Sequence, residues 1–257
     1  MKKLPYILQN TQWKNVKDKD WEIAVLPWGA TEPHNYHLPY GTDTLETDYI
    51  AAESVRIAWE QGAKIMVLPT IPFGVNTGQI DLPFCLNMNP GTQFEVLKDI
   101  IESLVTQGIK KVLILNGHGG NEFRHMIREL KIRQPETFIC TLDWYKTLDN
   151  SKYFDEQGDH AGEMETSIML HIKPDLCLPI QEAGNGKAGK FKLTGIKEGW
   201  VWAPREWKKI SKDTGVGNPS KATAEKGKRF LNDLTEKIAS FLVELDKSDP
   251  DDLYDYN

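Results

Sequence analysis

The stretch LPWGATEPHNYHLPYGTD, Leu26–Asp43, decides the fold of this chain. The run 22–27, which overlaps its start, is apolar and predicts a short buried strand that ends at Pro27. The run 44–61 after it carries apolar residues close to helical spacing, and Gly62 ends that pattern. A strand, a loop and a helix in this order are typical of an α/β protein.

The alternation of strand and helix continues through the first 143 residues. The pattern predicts strands at 64–69, 111–116 and 137–142, and helices at 92–107 and 121–134. Thr92 is expected to cap the helix that follows it, with Glu95 as its capping-box partner. This alternation predicts an α/β fold with three α/β/α layers and a mostly parallel central sheet. No G-x-G-x-x-G pattern follows a predicted strand, so we expect no nucleotide cofactor.

The pattern is looser after residue 143. We expect a short helix at 163–171, strands and loops over the Gly- and Trp-rich run 181–220, and a closing amphipathic helix at 221–246. No internal repeat and no clear linker divides the sequence. We therefore predict a single domain over residues 1–257.

Composition and charge narrow the class of protein. The net charge of −6 argues against a nucleic-acid or anionic-membrane surface. No apolar run approaches the roughly 20 residues of a membrane-spanning helix, and no sustained apolar region of a signal peptide follows Lys2 and Lys3. The three cysteines lie far apart, outside any C-x-x-C pattern, which fits free thiols. We therefore expect a cytoplasmic protein with no nucleic-acid or membrane partner.

Ligand-type side chains concentrate in three loops. One glutamate, two histidines and one aspartate lie between Glu32 and Asp43. The second loop is NGHGGN at 116–121, directly after the third predicted strand, and the third is HAGEMETS at 160–167. Because the carboxyl ends of parallel strands lie at one edge of a sheet, these loops can meet there. We expect them to hold one or two divalent metal ions.

The donor set indicates the kind of ion. Carboxylates and imidazoles without thiolates suit Zn²⁺, Mn²⁺ or Fe²⁺ in a catalytic site, and we favour zinc. Glu32 and His34 are two residues apart in extended chain, so both side chains would point to one side. Asp43 has two carboxylate oxygens and could bridge two ions roughly 3.5–4 Å apart.

Each of these side chains also has a purely structural interpretation. Helix-end, turn or backbone hydrogen-bonding roles are open to Glu32, His37, His118, His125, His171, Glu163 and Glu165, and we expect His125 and His171 to be structural. The joint occurrence of three such loops after strands is much harder to explain in this way.

Five segments together resemble the creatininase (creatinine amidohydrolase) family. They are residues 27–34, 37–43, 116–121, 160–167 and 215–223, so the resemblance spans about residues 20–240. It implies a metal-dependent amidohydrolase with an α/β/α layered fold, assembled as a homo-oligomer and in many members as a hexamer.

The resemblance also implies residue roles. Its metal ligands would be Glu32, His34, Asp43, His118 and Glu163, with Asp43 bridging two ions. Creatininase has a glutamate where this chain has Gly120, and Glu163 of the third motif is expected to replace it. His160 matches the position of the proton shuttle. Whether Glu163 or Glu165 is the ligand, and whether one or two ions bind, stays open.

The chain departs from the family pattern near the expected substrate position. Asn35-Tyr36 stands where the family has Gly-Pro, and Asn76-Thr77-Gly78-Gln79 replaces a segment that usually carries a histidine. These differences put creatinine itself in doubt. Candidate substrate contacts are His37, Asn76 and Trp144, and Trp200, Trp202 and Trp207 would line the pocket or a subunit contact.

The predicted reaction is hydrolysis of a linear or cyclic amide, such as a creatinine-like compound, a formamide or a small peptide. A metal-activated water would attack the carbonyl, His160 would protonate the leaving nitrogen, and Glu165 would orient His160 or hydrogen-bond the substrate. Three alternatives are a metal-binding protein without catalysis, a phosphoester hydrolase, and an α/β binding module whose loop histidines only cap turns. The second requires cationic groups, for which Arg124 and Lys187 are the nearest candidates.

Overall fold

Residues 4–255 are described by a computed structural model, and a parallel β-sheet lies at their centre. The strands in that range are β1 Ile23–Trp28, β2 Ile65–Val67, β3 Lys111–Asn116 and β4 Phe138–Asp143, in the order β2-β1-β3-β4. Every neighbouring pair is parallel. Trp28 pairs with Asn116, which in turn pairs with Asp143. The loops after β1, β3 and β4 therefore leave one edge of the sheet at the same level.

Helices precede, connect and follow these strands. In chain order they are α1 Trp13–Val16, α2 Thr42–Glu60, α3 Pro90–Thr106, α4 Arg124–Arg133, α5 Glu163–Ile172, α6 Thr194–Lys197, α7 Trp207–Ile210 and α8 Ala224–Lys247. Short 3-10 turns occur between them, among them Thr77–Gln79. The positions of α2, α4, α5 and α8 agree with the sequence pattern to within three residues at each end.

Two apolar clusters fill the two faces of the sheet. Ile23 and Val25 of β1 pack on one face with Phe230 of α8, while Leu26 packs on the other with Ile101 of α3. Alternate residues of β1 thus enter opposite clusters, as the two-residue period of a strand requires. Helices α2, α5 and α8 cover the first face, and α3 and α4 cover the second. The predicted three-layer α/β/α fold with a parallel central sheet is confirmed.

The start of α3 differs from the prediction. Pro90 is its first residue, and Asn89 precedes it in extended backbone. Thr92 therefore lies inside the helix, and the expected capping box with Glu95 is wrong. Proline is favoured at the first helical position because its fixed φ suits a helix and its missing N–H would have no partner there.

The segment 181–220 also differs from the prediction. All of its residues are described, and it contains turns and the short helices α6 and α7 but no strand, so the strands expected there are wrong. Side chains bond several of its backbone groups in place of a ladder. The Asp213 carboxylate accepts from the backbone N–H groups of Gly186 and Gly215, each at 3.0 Å, and from Ser211 Oγ.

Two expectations concern the chain as a whole. In the part of the chain from residue 4 to residue 255, no helix is long and apolar enough to cross a membrane. That residues 1–257 form a single domain stays a prediction.

Candidate metal centre

The loop after β1 brings three ligand-type side chains into the interior. Glu32 and His34 lie in this loop, Asp43 is the second residue of α2, and each is at most 2% exposed. Asn35 has a left-handed backbone with φ 54°, which asparagine tolerates better than most residues. Its side-chain oxygen accepts from the Gly184 N–H at 2.8 Å, and its amide donates to the Gly184 carbonyl at 3.1 Å. A distant segment therefore fixes the turn after His34.

Asp43 lies at the centre of the cluster. Its Oδ1 is 2.9 Å from His34 Nε2, and its Oδ2 is 3.0 Å from His118 Nδ1. Glu32 Oε1 is 2.9 Å from the same nitrogen of His118. Asp43 thus turns one oxygen toward each of two histidines from different loops, which is the arrangement expected of a carboxylate that bridges two ions.

Three buried histidines share one hydrogen-bonding pattern. Each donates one ring N–H to a backbone carbonyl: His34 Nδ1 to Glu32 at 3.0 Å, His118 Nε2 to Val75 at 3.0 Å and His160 Nε2 to Pro33 at 2.9 Å. A carbonyl oxygen only accepts, so this nitrogen carries the proton and the other one faces the carboxylates. Metal-ligating histidines are typically oriented in this way.

The end of β3 holds His118 in place. Asn116 Oδ1 accepts from the His118 backbone N–H at 3.1 Å, and Asn116 Nδ2 donates to the His118 carbonyl at 3.0 Å. A Cβ at Gly117 would collide with Thr47 Oγ1 and lie 3.1 Å from the Asp43 carbonyl oxygen. The loop can therefore approach α2 this closely only because residue 117 is glycine.

The third motif supplies Glu165, not Glu163, to the cluster. Glu165 Oε1 is 3.9 Å from His34 Nε2, and the other carboxylate oxygen accepts from the Ala161 N–H. Glu163 points elsewhere: its carboxylate accepts from the backbone N–H groups of two loop residues and from Lys226 Nζ. Both glutamates lie in the first turn of α5, where residues two apart face nearly opposite sides of a helix. Of the two glutamates that the sequence left open, the structure thus brings Glu165 to the other ligand-type side chains and keeps Glu163 away from them.

Among the described residues, three sets of side chains could each hold a metal ion, and within each set the ligand atoms lie within 4.8 Å of one another. The sets are Glu32, Asp43 and His118; His34, Asp43 and Glu165; and Glu32, His34 and His160. The first two share Asp43 and fit two ions with one bridging carboxylate. Among the described residues, no donor other than His118 Nδ1, at 3.0 Å, faces the buried Asp43 Oδ2, which suits an oxygen that faces a cation.

The protonation of the cluster reflects its crowding. Burial alone would lower the pKa of His34, but the Asp43 carboxylate beside it raises that pKa to about 10. Burial would likewise raise the pKa of Asp43, and His34 and His118 hold it far below its usual range. Burial raises the pKa of Glu165 to about 7. Without an ion, protons on His34 and on His118, whose pKa the neighbouring carboxylates also raise, therefore balance the carboxylates, and a divalent cation would replace those protons.

The sequence profile of the family described as creatininase, creatinine amidohydrolase, matches residues 9–242. This chain belongs to the creatininase family. The resemblance drawn from the five motifs is thereby confirmed. The predicted enzyme class, a hydrolase of carbon–nitrogen bonds, is confirmed at the level of the family.

Several curated relatives are similar over most of the chain. A mycofactocin precursor peptide peptidase from Mycobacterium ulcerans (strain Agy99) is 26% identical over 86% of this chain and 84% of its own length. A 2-amino-5-formylamino-6-ribosylaminopyrimidin-4(3H)-one 5'-monophosphate deformylase from Methanothermobacter marburgensis is 26% identical over 87% of this chain and 90% of its own length. The creatinine amidohydrolase of Pseudomonas putida is 25% identical over 60% of this chain and 65% of its own length.

Solved structures of the family have the same fold. A candidate creatinine amidohydrolase from Bacteroides fragilis NCTC 9343 superposes with a TM-score of 0.92 at 44% identity, covering 99% of this chain and 100% of that one. A manganese creatininase and a Zn-Zn creatininase mutant each superpose with a TM-score of 0.79, at 19% and 20% identity. They cover 95% and 96% of this chain and 99% and 100% of their own.

The three predicted substrate contacts lie in different surroundings. His37 is buried with its Nε2 2.9 Å from Thr166 Oγ1, and Asn76 is buried with its amide donating to the Leu86 carbonyl at 3.0 Å. Trp144 is 1% exposed, packs edge-on against Phe230 and lies in the apolar cluster between the sheet and α8. Because its ring is enclosed by the core, the prediction that Trp144 stacks on a substrate is corrected.

The Trp-rich segment divides between the site and the surface. The Trp207 ring lies 4.7 Å from the His160 ring, centroid to centroid, in a T-shaped contact. Trp200 and Trp202 are 72% and 83% exposed. Trp207 therefore borders the cluster, while the other two face solvent.

The sequence interpretation missed two residues beside the cluster. Gln79 Nε2 donates to Glu32 Oε2. Glu46 is fully buried, and neither of its carboxylate oxygens has a hydrogen-bond partner. Glu46 follows Asp43 by three residues on one helix, so helical spacing alone could have found it. For Gln79, the one signal in the sequence was that its segment departs from the family pattern.

Proposed function

We infer that this creatininase-family chain is a metal-dependent amidohydrolase. The observation that carries the inference is the shared orientation of His34, His118 and His160, each of which donates one ring N–H to a backbone carbonyl and turns the other nitrogen toward buried carboxylates. Such orientation is typical of metal ligands and of histidines that transfer protons beside them.

The ligand sets suggest two ion positions. Glu32, Asp43 and His118 would hold one ion, and His34, Asp43 and Glu165 the other. When bound, the ions supply a water of lowered pKa and polarise the substrate carbonyl. Zinc fits this mixed set of nitrogen and oxygen donors, and manganese or iron fits it also. The manganese and Zn-Zn forms of related creatininases support the same choice of metals.

His160 would move the proton. Its Nε2 is committed to the Pro33 carbonyl, while its Nδ1 lies 3.7 Å from Glu32 Oε1 at the edge of the cluster. From this position Nδ1 would take a proton from the attacking water and deliver it to the leaving nitrogen. Glu165 accepts from the Ala161 N–H, next to His160 in the chain, and so would help to fix the loop that carries the shuttle.

The substrate would be a small amide: a creatinine-like ring, a formamide or a short peptide. The printed activities of the relatives support this range, since they include a creatinine amidohydrolase, a deformylase and a peptidase. Phosphoester hydrolysis is less well supported. Among residues 4–255, the ion pairs of Glu32, Asp43 and Glu165 are all with histidines, and neither Arg124 nor Lys187 forms an ion pair with them.

Family resemblance supports a homo-oligomer, of which a hexamer is one form, and the three cysteines outside any C-x-x-C pattern support a cytoplasmic location. The exposed Trp200 and Trp202 are available for a subunit contact. We propose no nucleic-acid or membrane partner, given the net charge of −6.

The metal content of the purified protein tests the proposal. We expect one to two equivalents of zinc, manganese or iron by elemental mass spectrometry, and loss of that metal in a Glu32→Gln, Asp43→Asn double variant. A panel of creatinine, formamides, short peptides and phosphoesters then assigns the substrate class. A protein that takes up no metal would rule out the mechanism and leave a binding protein whose loop histidines are structural.

A further inference from the structure

Gln79 contacts a candidate metal ligand directly. It ends the 3-10 turn Thr77–Gln79 and is 2% exposed. Its Nε2 donates to Glu32 Oε2, and its Oε1 is buried without a partner. A carboxylate only accepts, so the amide nitrogen must face Glu32. Among the hydrogen bonds of residues 4–255, the Gln79 side chain takes part in this bond alone.

The two oxygens of Glu32 therefore have different surroundings. Oε1 lies 2.9 Å from His118 Nδ1 and 3.7 Å from His160 Nδ1, on the side of the cluster. Oε2 is bonded to Gln79. A carboxylate whose second oxygen is bonded to a donor binds an ion most readily through its first oxygen alone.

The backbone around Gln79 cannot easily withdraw. A Cβ at Gly78 would collide with the Arg205 carbonyl oxygen, so this turn lies directly against the segment that leads into α7. On the other side, the Asn76 amide donates to the Leu86 carbonyl at 3.0 Å, and the Leu86 N–H donates to the Thr31 carbonyl at 3.0 Å. Thr31 precedes Glu32, so the loop and the ligand are anchored to each other.

We propose that Gln79 is a positioning residue that keeps Glu32 as a one-oxygen ligand. This proposal rests on the proposed metal-dependent function. One-oxygen binding leaves a coordination position open, which a catalytic ion needs for water or substrate. An amide suits this task because it restrains Oε2 without a positive charge, so Glu32 keeps its full negative charge for the cation.

The experiment compares Gln79→Met with wild type by titrating the metal-free protein with ZnCl₂ in a calorimeter. Methionine has a similar length and is no donor to a carboxylate. We expect Zn²⁺ to bind roughly 10–100-fold more weakly, the usual effect of removing an outer partner of a ligand. The Co²⁺-loaded variant should also absorb more weakly in the visible, because a second oxygen of Glu32 raises the coordination number. Gln107→Met, at an exposed glutamine after α3, is the control.

The outcomes separate this proposal from the function on which it rests. Wild-type Zn²⁺ affinity in Gln79→Met would overturn the positioning role and leave the metal-dependent function intact. Weaker Zn²⁺ binding with an unchanged Co²⁺ spectrum would overturn the one-oxygen role, because the loss would then be a general effect on the loop. Failure of the wild-type protein to bind Zn²⁺, Mn²⁺ or Fe²⁺ would instead refute the function itself.

Discussion

His160 Nε2 donates to the carbonyl oxygen of Pro33 at 2.9 Å, and this contact decides which nitrogen of His160 faces the cluster. Its Nδ1 is left on the side of Glu32, 3.7 Å from Oε1. The loop after β1 therefore supplies the candidate ligands Glu32 and His34, and its Pro33 carbonyl orients the proposed proton shuttle. The shuttle and the ligands are thus coupled through one backbone segment.

Replacing His160 should separate catalysis from metal binding. His160→Ala removes the proposed shuttle but none of the five proposed ligands, so we expect kcat to fall by about 10²–10⁴-fold. Metal content by elemental mass spectrometry should stay at the wild-type level. His125→Ala, at an exposed histidine of α4, is the control. Turnover that survives in His160→Ala would show that another group moves the proton.

The two glutamates of the third motif should respond differently to substitution. Glu165→Gln removes a carboxylate from the set with His34 and Asp43, so we expect the metal content to fall by one equivalent while the protein stays folded. Glu163→Gln should keep the metal but lower the free energy of unfolding by about 1–3 kcal/mol, because a buried acceptor is weakened.

Lys226→Met checks the structural role of Glu163 from the other side of the ion pair. It should destabilise the protein in the same direction as Glu163→Gln, since Lys226 Nζ contacts that carboxylate. Elemental mass spectrometry measures the metal content of the glutamate variants, and chemical denaturation measures the stability of all three variants. Loss of metal in Glu163→Gln with full retention in Glu165→Gln would reverse the assignment.

His37 should make the metal-free protein less stable in mild acid. Burial, followed by the charge of His34, lowers the pKa of His37 from 6.5 to about 4. Between these two values the unfolded chain binds a proton at this site and the folded chain does not, so stability falls as the pH drops from 6.5 toward 4. The effect of one group is at most about 3 kcal/mol.

Urea unfolding at several pH values measures this contribution. His37→Gln should show a smaller loss of unfolding free energy than wild type over that pH range, whereas His125→Gln should follow wild type. Identical pH dependence in His37→Gln and wild type would mean that His37 titrates normally in the folded protein.

Glu46 should lower the free energy of unfolding of the metal-free protein as the pH rises. Burial, with Glu165 and Asp43 nearby, raises the pKa of Glu46 well above its ordinary value. The folded state then keeps a proton that the unfolded state loses above about pH 4.5, so stability falls as the pH rises. Glu46→Gln should therefore gain stability relative to wild type, by roughly 1–3 kcal/mol at pH 8 and less at pH 5.

Denaturation of the metal-free proteins at both pH values checks the prediction for Glu46. The matched control is Glu102→Gln, at an exposed glutamate on α3. A variant at position 46 that is less stable than wild type at pH 8 would indicate that the Glu46 carboxylate is ionised and has a favourable partner.

Local pattern was enough to predict the scaffold. Strand β3 has the bounds that its apolar run predicted, Lys111–Asn116, because a short buried run between polar residues is distinctive. The closing helix α8 follows its apolar stripe in the same way. The helix start at Pro90 and the irregular segment 181–220 were not found, because they depend on one proline and on side chains such as Asp213 that bond distant backbone groups.

The sequence by itself determined the family, the layered fold and the loops that carry the candidate ligands, because these follow from short motifs and from the period of hydrophobic residues. Only the tertiary structure decided which side chains face one another. Glu163 and Glu165 share one helical turn and one residue type, and their roles differ only because Lys226 lies on one side of α5 and His34 on the other. The contact of Gln79 with Glu32 joins two loops far apart in the chain, and contacts of that kind are set by packing, which local sequence does not specify.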